Sequence, residues 1–212
     1  MKFDDLLHVV AQEPIFESAL LLAGSVDPND LRRQLSRWTR AGRVVQIRRG
    51  LYALASPHAR ARPHPFLVAN RLVRGSYVSC QSALAHHGVI PESVPVVTSV
   101  AAGRPARWTT PLGGFEFRHV KPALLYGYET IDVGGQPALV ARPEKALLDL
   151  VHLTPGGDSM AFLESLRLQQ TERFDPAALD EMARRARRPK LERAARRLRR
   201  LVTGEAQEYE PA

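Results

Sequence analysis

Residues 27–54 have the sequence DPNDLRRQLSRWTRAGRVVQIRRGLYAL, and this stretch decides the fold of the N-terminal region. Asp27 can cap a helix, Pro28 suits the first helical position, and Asp30 places negative charge near the positive end of the helix dipole. We therefore expect a helix from Pro28 to about Ala41.

The expected helix has two chemically different sides. At about 100° per residue, Leu31, Leu35 and Trp38 fall on one side and predict the buried stripe. The residues predicted to point away from this stripe are polar or basic, and they are Asn29, Arg33, Ser36, Arg37 and Arg40, with Arg32 on the flank. Such a helix has the width and charge to enter a DNA major groove, although an ordinary surface helix is the alternative.

A β-hairpin is expected directly after this helix. Residues 44–47 alternate in polarity as a strand does, and residues 51–54 return as a second strand. Arg48, Arg49 and Gly50 between them can form a tight turn. The hairpin therefore carries arginines at its tip.

Two further helices are expected upstream, over Asp4–Gln12 and Ile15–Ala23. Both segments have apolar residues at helical spacing, and Pro14 and Gly24 then end them. Three short helices followed by a basic hairpin form a winged helix-turn-helix, in which the third helix contacts base edges and the hairpin, or wing, contacts phosphate or the minor groove. The order of elements predicts a DNA-binding domain, with an inert helical subdomain as the alternative.

The distribution of charge along the chain favours the same function. The formal net charge is +8, yet residues 63–172 contain nine Lys and Arg against nine Asp and Glu. Between Leu31 and Arg62 there are nine arginines and no acid, an excess that would attract a polyanion. The residues expected to contact DNA are Asn29, Arg32, Arg33, Ser36, Arg37, Arg40, Arg43, Arg48 and Arg49.

We expect an α+β protein with two domains. The winged helix-turn-helix would occupy residues 1–58, a Pro-containing linker residues 59–65, a mixed α/β domain with a helical C-terminus residues 66–203, and an acidic tail residues 204–212. The elements expected in the second domain are helices over 66–73, 79–87 and 144–153 and strands over 94–100, 114–119, 128–133 and 137–140. They predict a small mixed or antiparallel sheet.

No catalytic residue, metal or cofactor is expected in the second domain. His86 and His87 point about 100° apart on a helix and cannot both bind one ion. Glu144 and Lys145 at a helix start are interpreted as a complement to the helix dipole and as surface or interdomain pairing. The single cysteine, Cys80, is expected to be a small buried side chain.

The C-terminal region is strongly basic. From Arg184 to Arg200 there are ten Lys and Arg and a single acid, Glu192. The apolar seam expected for the last helix consists of Leu191, Ala194, Leu198 and Leu201, and the cations expected opposite it are Arg193, Arg196, Arg197 and Arg200. This basic face is either a second phosphate contact on the duplex, or a solvated face or one that pairs with acidic groups on a partner.

The sequence also predicts a cytoplasmic protein without a membrane anchor. The apolar run at residues 19–23 is far shorter than the roughly 20 residues of a bilayer span. Asp4 and Asp5 stand where a signal peptide would be basic.

Three segments of the chain together resemble AbiE-type antitoxins, which are transcriptional regulators of bacterial abortive-infection toxin–antitoxin systems. They are RGLYAL at 49–54, SYVSCQSALAHHG at 76–88 and RPEKALLDL at 142–150. The resemblance implies that the N-terminal domain binds inverted repeats in its own promoter and represses an operon shared with a nucleotidyltransferase-like toxin. It also implies that the second domain carries the antitoxin role without a stable complex with the toxin.

Two other functions stay open at the level of sequence. One is a nucleic-acid-processing enzyme such as a nuclease, although its candidate carboxylates are scattered and lack the spacing of a metal-dependent site. These carboxylates are Glu116, Glu129, Asp132 and Glu144. The other is an antitoxin that acts by direct protein contact.

Overall fold

The computed structural model describes residues 1–10, 13–22 and 26–203. Its N-terminal part contains short helices and a small sheet, namely α1 (Phe3–Val10), β1 (Phe16–Glu17), a 3₁₀ helix (Ser18–Leu22), α2 (Pro28–Arg40), β2 (Val44–Arg48) and β3 (Leu51–Leu54). The three strands are antiparallel and lie in the order β1-β3-β2. The expected helix at Pro28 and the hairpin that follows it are confirmed.

Helix α2 begins as its sequence predicts. The Asp27 carboxylate accepts hydrogen bonds from the backbone N–H groups of Asn29 at 2.8 Å and Asp30 at 3.0 Å. The buried side of the helix consists of Leu31, Leu35 and Trp38, as expected. These side chains pack with residues of α1, the 3₁₀ helix and the small sheet in a compact core.

The helix expected over Ile15–Ala23 is wrong. Phe16 and Glu17 form strand β1 instead, paired with Tyr52 and Leu51 of β3, and the 3₁₀ helix follows. The pairing partners of β1 lie far along the chain, so the local apolar spacing could not reveal the strand. The final residues of the first two expected helices, 11–12 and 23, and the expected terminator Gly24 lie outside the described residues.

The rest of the described chain is built around a mixed sheet. Its elements are α3 (Pro65–Leu72), β4 (Tyr77–Val78), α4 (Cys80–His86), β5 (Val96–Ala101), β6 (Ala106–Thr110), β7 (Gly113–His119), β8 (Tyr128–Asp132), β9 (Pro137–Ala141), α5 (Pro143–Leu153), α6 (Met160–Ser165), α7 (Pro176–Arg185) and α8 (Pro189–Thr203). Short 3₁₀ turns are found at Pro122–Leu124 and Thr171–Arg173. The α+β class expected from the sequence is confirmed.

The larger sheet has six strands in the order β6-β7-β5-β4-β9-β8. The pairs β5–β7 and β4–β9 are parallel, and the other neighbours are antiparallel. Strands β4 and β6 were not predicted. With only two residues, β4 is too short to show an alternation, and its place in the sheet depends on partners more than 20 residues away.

Helix α5 contacts α4, α7 and α8 and is enclosed along most of its length. Of the two kinds of pairing expected for Glu144 and Lys145, surface pairing is wrong, because these residues are only 1% and 2% exposed. Glu144 accepts a hydrogen bond from the backbone N–H of Asp175 at 2.8 Å, just before α7, and Lys145 pairs with Asp149 one turn further on. The helix is covered all round, so even its polar residues must find partners inside the protein.

Asp149 is the centre of a buried polar cluster. Its carboxylate accepts hydrogen bonds from the hydroxyls of Tyr77 at 2.9 Å and Ser79 at 2.8 Å, and from the ammonium group of Lys145. Ser79 precedes the first residue of α4 but does not cap this helix with its side chain. Cys80, the next residue, is buried as expected.

The small sheet belongs to both parts of the molecule. Tyr52 and Leu54 of β3 pack in the N-terminal core, whereas the alternate residues Leu51 and Ala53 pack in the core of the larger sheet. The two faces of β3 are thus both buried. This continuity of packing fixes the N-terminal region against the second part of the chain.

The segment that connects the two parts is also held in place. The side chain of Gln136 accepts a hydrogen bond from the backbone N–H of His64 at 2.8 Å and donates one to the carbonyl of Arg62 at 3.0 Å. His64 in turn caps α3, since its Nδ1 accepts from the N–H of Phe66 at 3.2 Å. The turn between β8 and β9 therefore anchors the expected linker.

The C-terminal helices pack over α5. Asp175 caps α7, as the Asp-Pro pair predicts. In α8 the seam residues Leu191, Ala194 and Leu198 are buried, but Leu201 is 36% exposed, so the seam ends one turn earlier than expected. In the described part of the chain, no helix has both the length and the apolar character that a membrane crossing requires.

Replacing Asp149 by Ala should strongly destabilise the fold. The change leaves the Lys145 ammonium and two hydroxyls without their acceptor, and breaking a buried ion pair costs about 3–5 kcal/mol. Urea denaturation measures the free energy of unfolding. The control Glu92→Gln, which removes an exposed pair with Arg167, should cost less than about 1 kcal/mol. Similar small losses in both variants would contradict the buried cluster.

Candidate nucleic-acid interface

A groove lies between α2, the β2–β3 hairpin and the first 3₁₀ helix. It has a volume of about 450 Å³ and is lined by three arginines, Arg32, Arg40 and Arg49. The described residues that line it include no Asp or Glu. The groove therefore has a positive electrostatic field that suits an anionic ligand.

The basic surface continues over the solvent side of α2. A shallower concavity there is lined by Arg32, Arg33, Ser36, Arg37 and Arg40, all of which are exposed. Arg32 and Arg40 line both concavities, so groove and outer helix face form one surface, which we call the α2–wing surface. Asn29 is exposed in the first turn of the same helix. The structure thus brings most of the predicted contact residues of α2 together with Arg49.

Arg33 is exposed but already has an anionic partner. Its Nη2 lies 2.5 Å from Oδ1 of Asp30, one turn earlier in α2. The hydrogen bond from Arg33 to Asp30 and the charge of this carboxylate raise the pKa of the guanidinium above its ordinary value. Arg37 has no such pair among the described residues, and it is therefore the better candidate for contact with a ligand.

Tyr52 lies on the floor of the groove. It is 8% exposed, and burial raises the pKa of its hydroxyl above the ordinary value. The positive charges of Arg32 and Arg49 act in the opposite direction on this pKa. Both guanidinium groups are therefore close enough to the hydroxyl for their charges to affect it.

The two arginines at the hairpin tip lie on opposite faces of the small sheet. Arg49 lines the groove, whereas Arg48 is in register with Leu51, whose side chain packs in the core of the larger sheet. Opposite residues in an antiparallel pair share a face, so Arg48 points away from α2. Arg43 lies in the loop after α2, where its guanidinium stacks on the ring of Phe3 at 5.1 Å.

The basic face expected on α8 is partly neutralised. Nε of Arg193 donates to Oδ2 of Asp158 at 2.9 Å, and Arg197 donates to the backbone carbonyl of the same residue. The hydrogen bond from Arg193 lowers the pKa of Asp158 below its ordinary value. Arg196 and Arg200 are exposed, and Arg196 lines a concavity together with two acids, Asp180 and Glu192. This face is therefore a weaker candidate for an anion-binding site than the α2–wing surface.

The described residues of the second domain contain no group of three or more His, Cys, Asp or Glu side chains that could hold a metal ion. The rings of His86 and His87 have their centroids 5.3 Å apart and meet edge to face, with an interplanar angle of 71°. Nε2 of His87 lies 2.9 Å from the carbonyl oxygen of Ala141, within the fold.

The polar residues of the groove that were not predicted from the sequence include Gln46 and Tyr52. They are paired directly opposite each other in the hairpin, with both side chains on the face towards α2. The sequence contains a signal for this position. Once the turn residues are assigned, the alternation of side chains along the two strands places Gln46 and Tyr52 on the same face.

Comparisons with known proteins assign no family. No family model matches the chain, and no curated protein matches it. Among solved structures, the crystal structure of the RV2827C protein from Mycobacterium tuberculosis matches with a TM-score of 0.47 and 17% identity, over 98% of this chain and 83% of that chain. A likeness at this level carries no conclusion about function.

The geometry of the groove can be tested through Tyr52. Replacing both Arg32 and Arg49 by Ala removes two positive charges that lower the pKa of its hydroxyl, so this pKa should rise further. A pH titration followed by NMR of labelled tyrosine rings measures it, with Tyr52→Phe to assign the resonance. The control Arg167→Ala should leave the pKa unchanged. An unaltered pKa in the double variant would place both guanidinium groups away from the hydroxyl.

Proposed function

We propose that this protein is a sequence-specific DNA-binding protein that represses transcription. The observation that carries the proposal is the α2–wing surface, where Arg32, Arg40 and Arg49 line a groove without Asp or Glu among its described lining residues. Guanidinium groups that neutralise phosphates release condensed counterions from DNA, and this release favours binding. Double-stranded DNA is therefore the proposed partner.

Helix α2 has dimensions that suit a recognition helix. Its 13 residues span about 20 Å, and an α-helix about 10–12 Å wide fits a major groove about 12 Å wide. Leu35 and Trp38 hold one side of α2 in the core, which leaves the side with Arg37 free to face a ligand. In this arrangement Arg37 contacts a base edge, most favourably O6 and N7 of guanine.

The hairpin would act as the wing of the same domain. Arg49 at its tip shares the groove with Arg32 and Arg40 of α2. A duplex seated on α2 would present phosphates to these three residues, which then set its position without reading its sequence. Specificity would come from Ser36 and Arg37 on the outer face of the helix.

The biological role follows from the sequence resemblance alone. We propose that the protein represses its own promoter at inverted repeats and serves as the antitoxin of an operon that encodes a nucleotidyltransferase-like toxin. The larger domain would carry the antitoxin role without a stable complex with the toxin. Co-purification with the product of the neighbouring gene would favour direct neutralisation instead.

A gel-shift experiment with DNA from upstream of the protein's own gene tests sequence-specific binding. The wild type should bind this fragment more tightly than random DNA, and Arg37→Ala should reduce the discrimination by about 1–3 kcal/mol. Arg167→Ala, which alters an exposed arginine outside the α2–wing surface, is the matched control. Equal affinity of the wild type for both DNAs would overturn the sequence-specific function.

The phosphate-binding role of the groove can be measured by salt titration. Each neutralised phosphate contributes a slope of about −0.9 to the logarithm of affinity plotted against the logarithm of salt. Replacing Arg32 and Arg49 by Ala should therefore make the slope shallower by about 2, with little change in the preference for the upstream fragment. A slope equal to that of the wild type would show that neither residue contacts phosphate.

A further inference from the structure

The far face of the small sheet carries a second group of cations, which includes residues of the larger domain. Arg48 of β2 and Glu17 of β1 both pair with Leu51 of β3, so their side chains lie on the same face on either side of it. This face is opposite to the one that lines the groove with Tyr52. Arg71 is exposed in the last turn of α3, and Arg74, also exposed, follows three residues later.

Arg74 joins this face through a direct contact. Its Nη2 donates to Oε1 and Oε2 of Glu17 at 2.6 and 2.7 Å, although its side chain is 78% exposed. The hydrogen bond from Arg74, together with the charges of Arg74, Arg48 and Arg71, lowers the pKa of Glu17 below its ordinary value. Glu17 thus has one guanidinium in direct contact and is affected by the charges of two more, and three cations against one carboxylate leave the local charge positive.

We propose that Arg48, Arg71 and Arg74 form a second phosphate-binding surface, which holds the DNA strand on the far side of the wing. This inference rests on the proposed DNA-binding function. It assigns part of the DNA contact to α3 and the loop after it, which lie outside the winged helix-turn-helix region. We call these three residues the back-of-wing cluster.

The shape of the minor groove explains why cations are useful on both faces of a hairpin. Two phosphate backbones flank this groove, which is about 6 Å wide. A hairpin tip that approaches this groove edge-on has one backbone beside each of its two faces. Arg49 on the groove side then meets one backbone, and the back-of-wing cluster meets the other.

Glu17 competes with DNA for Arg74 in this arrangement. In the free protein its carboxylate holds the guanidinium beside the wing, where it stays largely exposed. A phosphate that approaches Arg74 must share or displace this partner, and Glu17 itself repels the phosphate. The carboxylate therefore weakens DNA binding, even though it orients one of the cations.

The alternative is that the Arg74–Glu17 pair only fixes the two parts of the molecule together. The two roles predict different changes in DNA affinity for two substitutions. A structural clamp is broken equally by Arg74→Ala and Glu17→Gln, so both would weaken DNA binding. A phosphate contact is lost in Arg74→Ala, whereas Glu17→Gln removes the competitor and tightens binding.

The experiment measures affinity as a function of salt for the full-length protein on two duplexes, the upstream fragment and random DNA of about 30 base pairs. The variants are Arg71→Ala/Arg74→Ala and Glu17→Gln, with circular dichroism to verify folding. The matched controls, Arg167→Ala and Glu92→Gln, break another exposed Arg–carboxylate pair. Glu92 of the control pair precedes the first residue of β5. The last residues of β5 pair with β4, which begins shortly after Arg74. The control pair therefore lies at the opposite end of the sheet from Arg74.

The double variant should bind both duplexes more weakly, with a salt slope shallower by about 2, because two phosphate contacts are lost. Glu17→Gln should bind both more tightly, and the controls should match the wild type. An unchanged slope in the double variant, or weaker binding by Glu17→Gln, would overturn the inference. If Arg37→Ala still lost discrimination, the proposed function would stand. A wild type that bound neither duplex would overturn both.

Discussion

The fold depends on β3, the central strand of the small sheet, which is buried on both faces. Tyr52 and Leu54 of β3 support the core beneath α2, while Leu51 and Ala53 between them pack in the core of the larger sheet. A strand in this position cannot shift its register by one residue, because the shift would exchange the two sets of side chains. The same four residues therefore hold α2 in place and fix the N-terminal region on the rest of the protein.

The two-sided burial also determines where charge can lie. With both faces covered near the middle of β3, cations are left at the hairpin tip and along the free side of α2. Arg49 of the turn lines the groove, whereas Arg48 lies on the face of Glu17, because the register of β2 shifts between Gln46 and Arg48 and brings Arg48 opposite Leu51. The proposed DNA contact thus combines residues from a helix, a hairpin and the end of α3.

The second domain contains a buried ion pair in its interior. Lys145 and Asp149 lie one turn apart inside the fold, and the hydroxyls of Tyr77 and Ser79 satisfy the carboxylate. These four residues come from α5, β4 and the residue before α4. The cluster therefore specifies how the central helix sits against the sheet, and an exposed helix with the same sequence would have no such requirement.

The sequence by itself determined the elements whose signals are local. The Asp27 cap, the Leu31–Trp38 stripe and the polar turn of the hairpin depend on neighbours within a few residues, so α2, β2 and β3 could be predicted, with the exposed arginines of α2. Only the tertiary structure decided features that depend on distant partners. Strand β1 exists because Phe16 pairs with Tyr52. Arg74 of the second domain donates a hydrogen bond to Glu17 of the N-terminal region. Glu144 and Lys145 are buried because other elements cover α5 on every side. Local patterns cannot encode these contacts, since their energy comes from residues brought together only by folding.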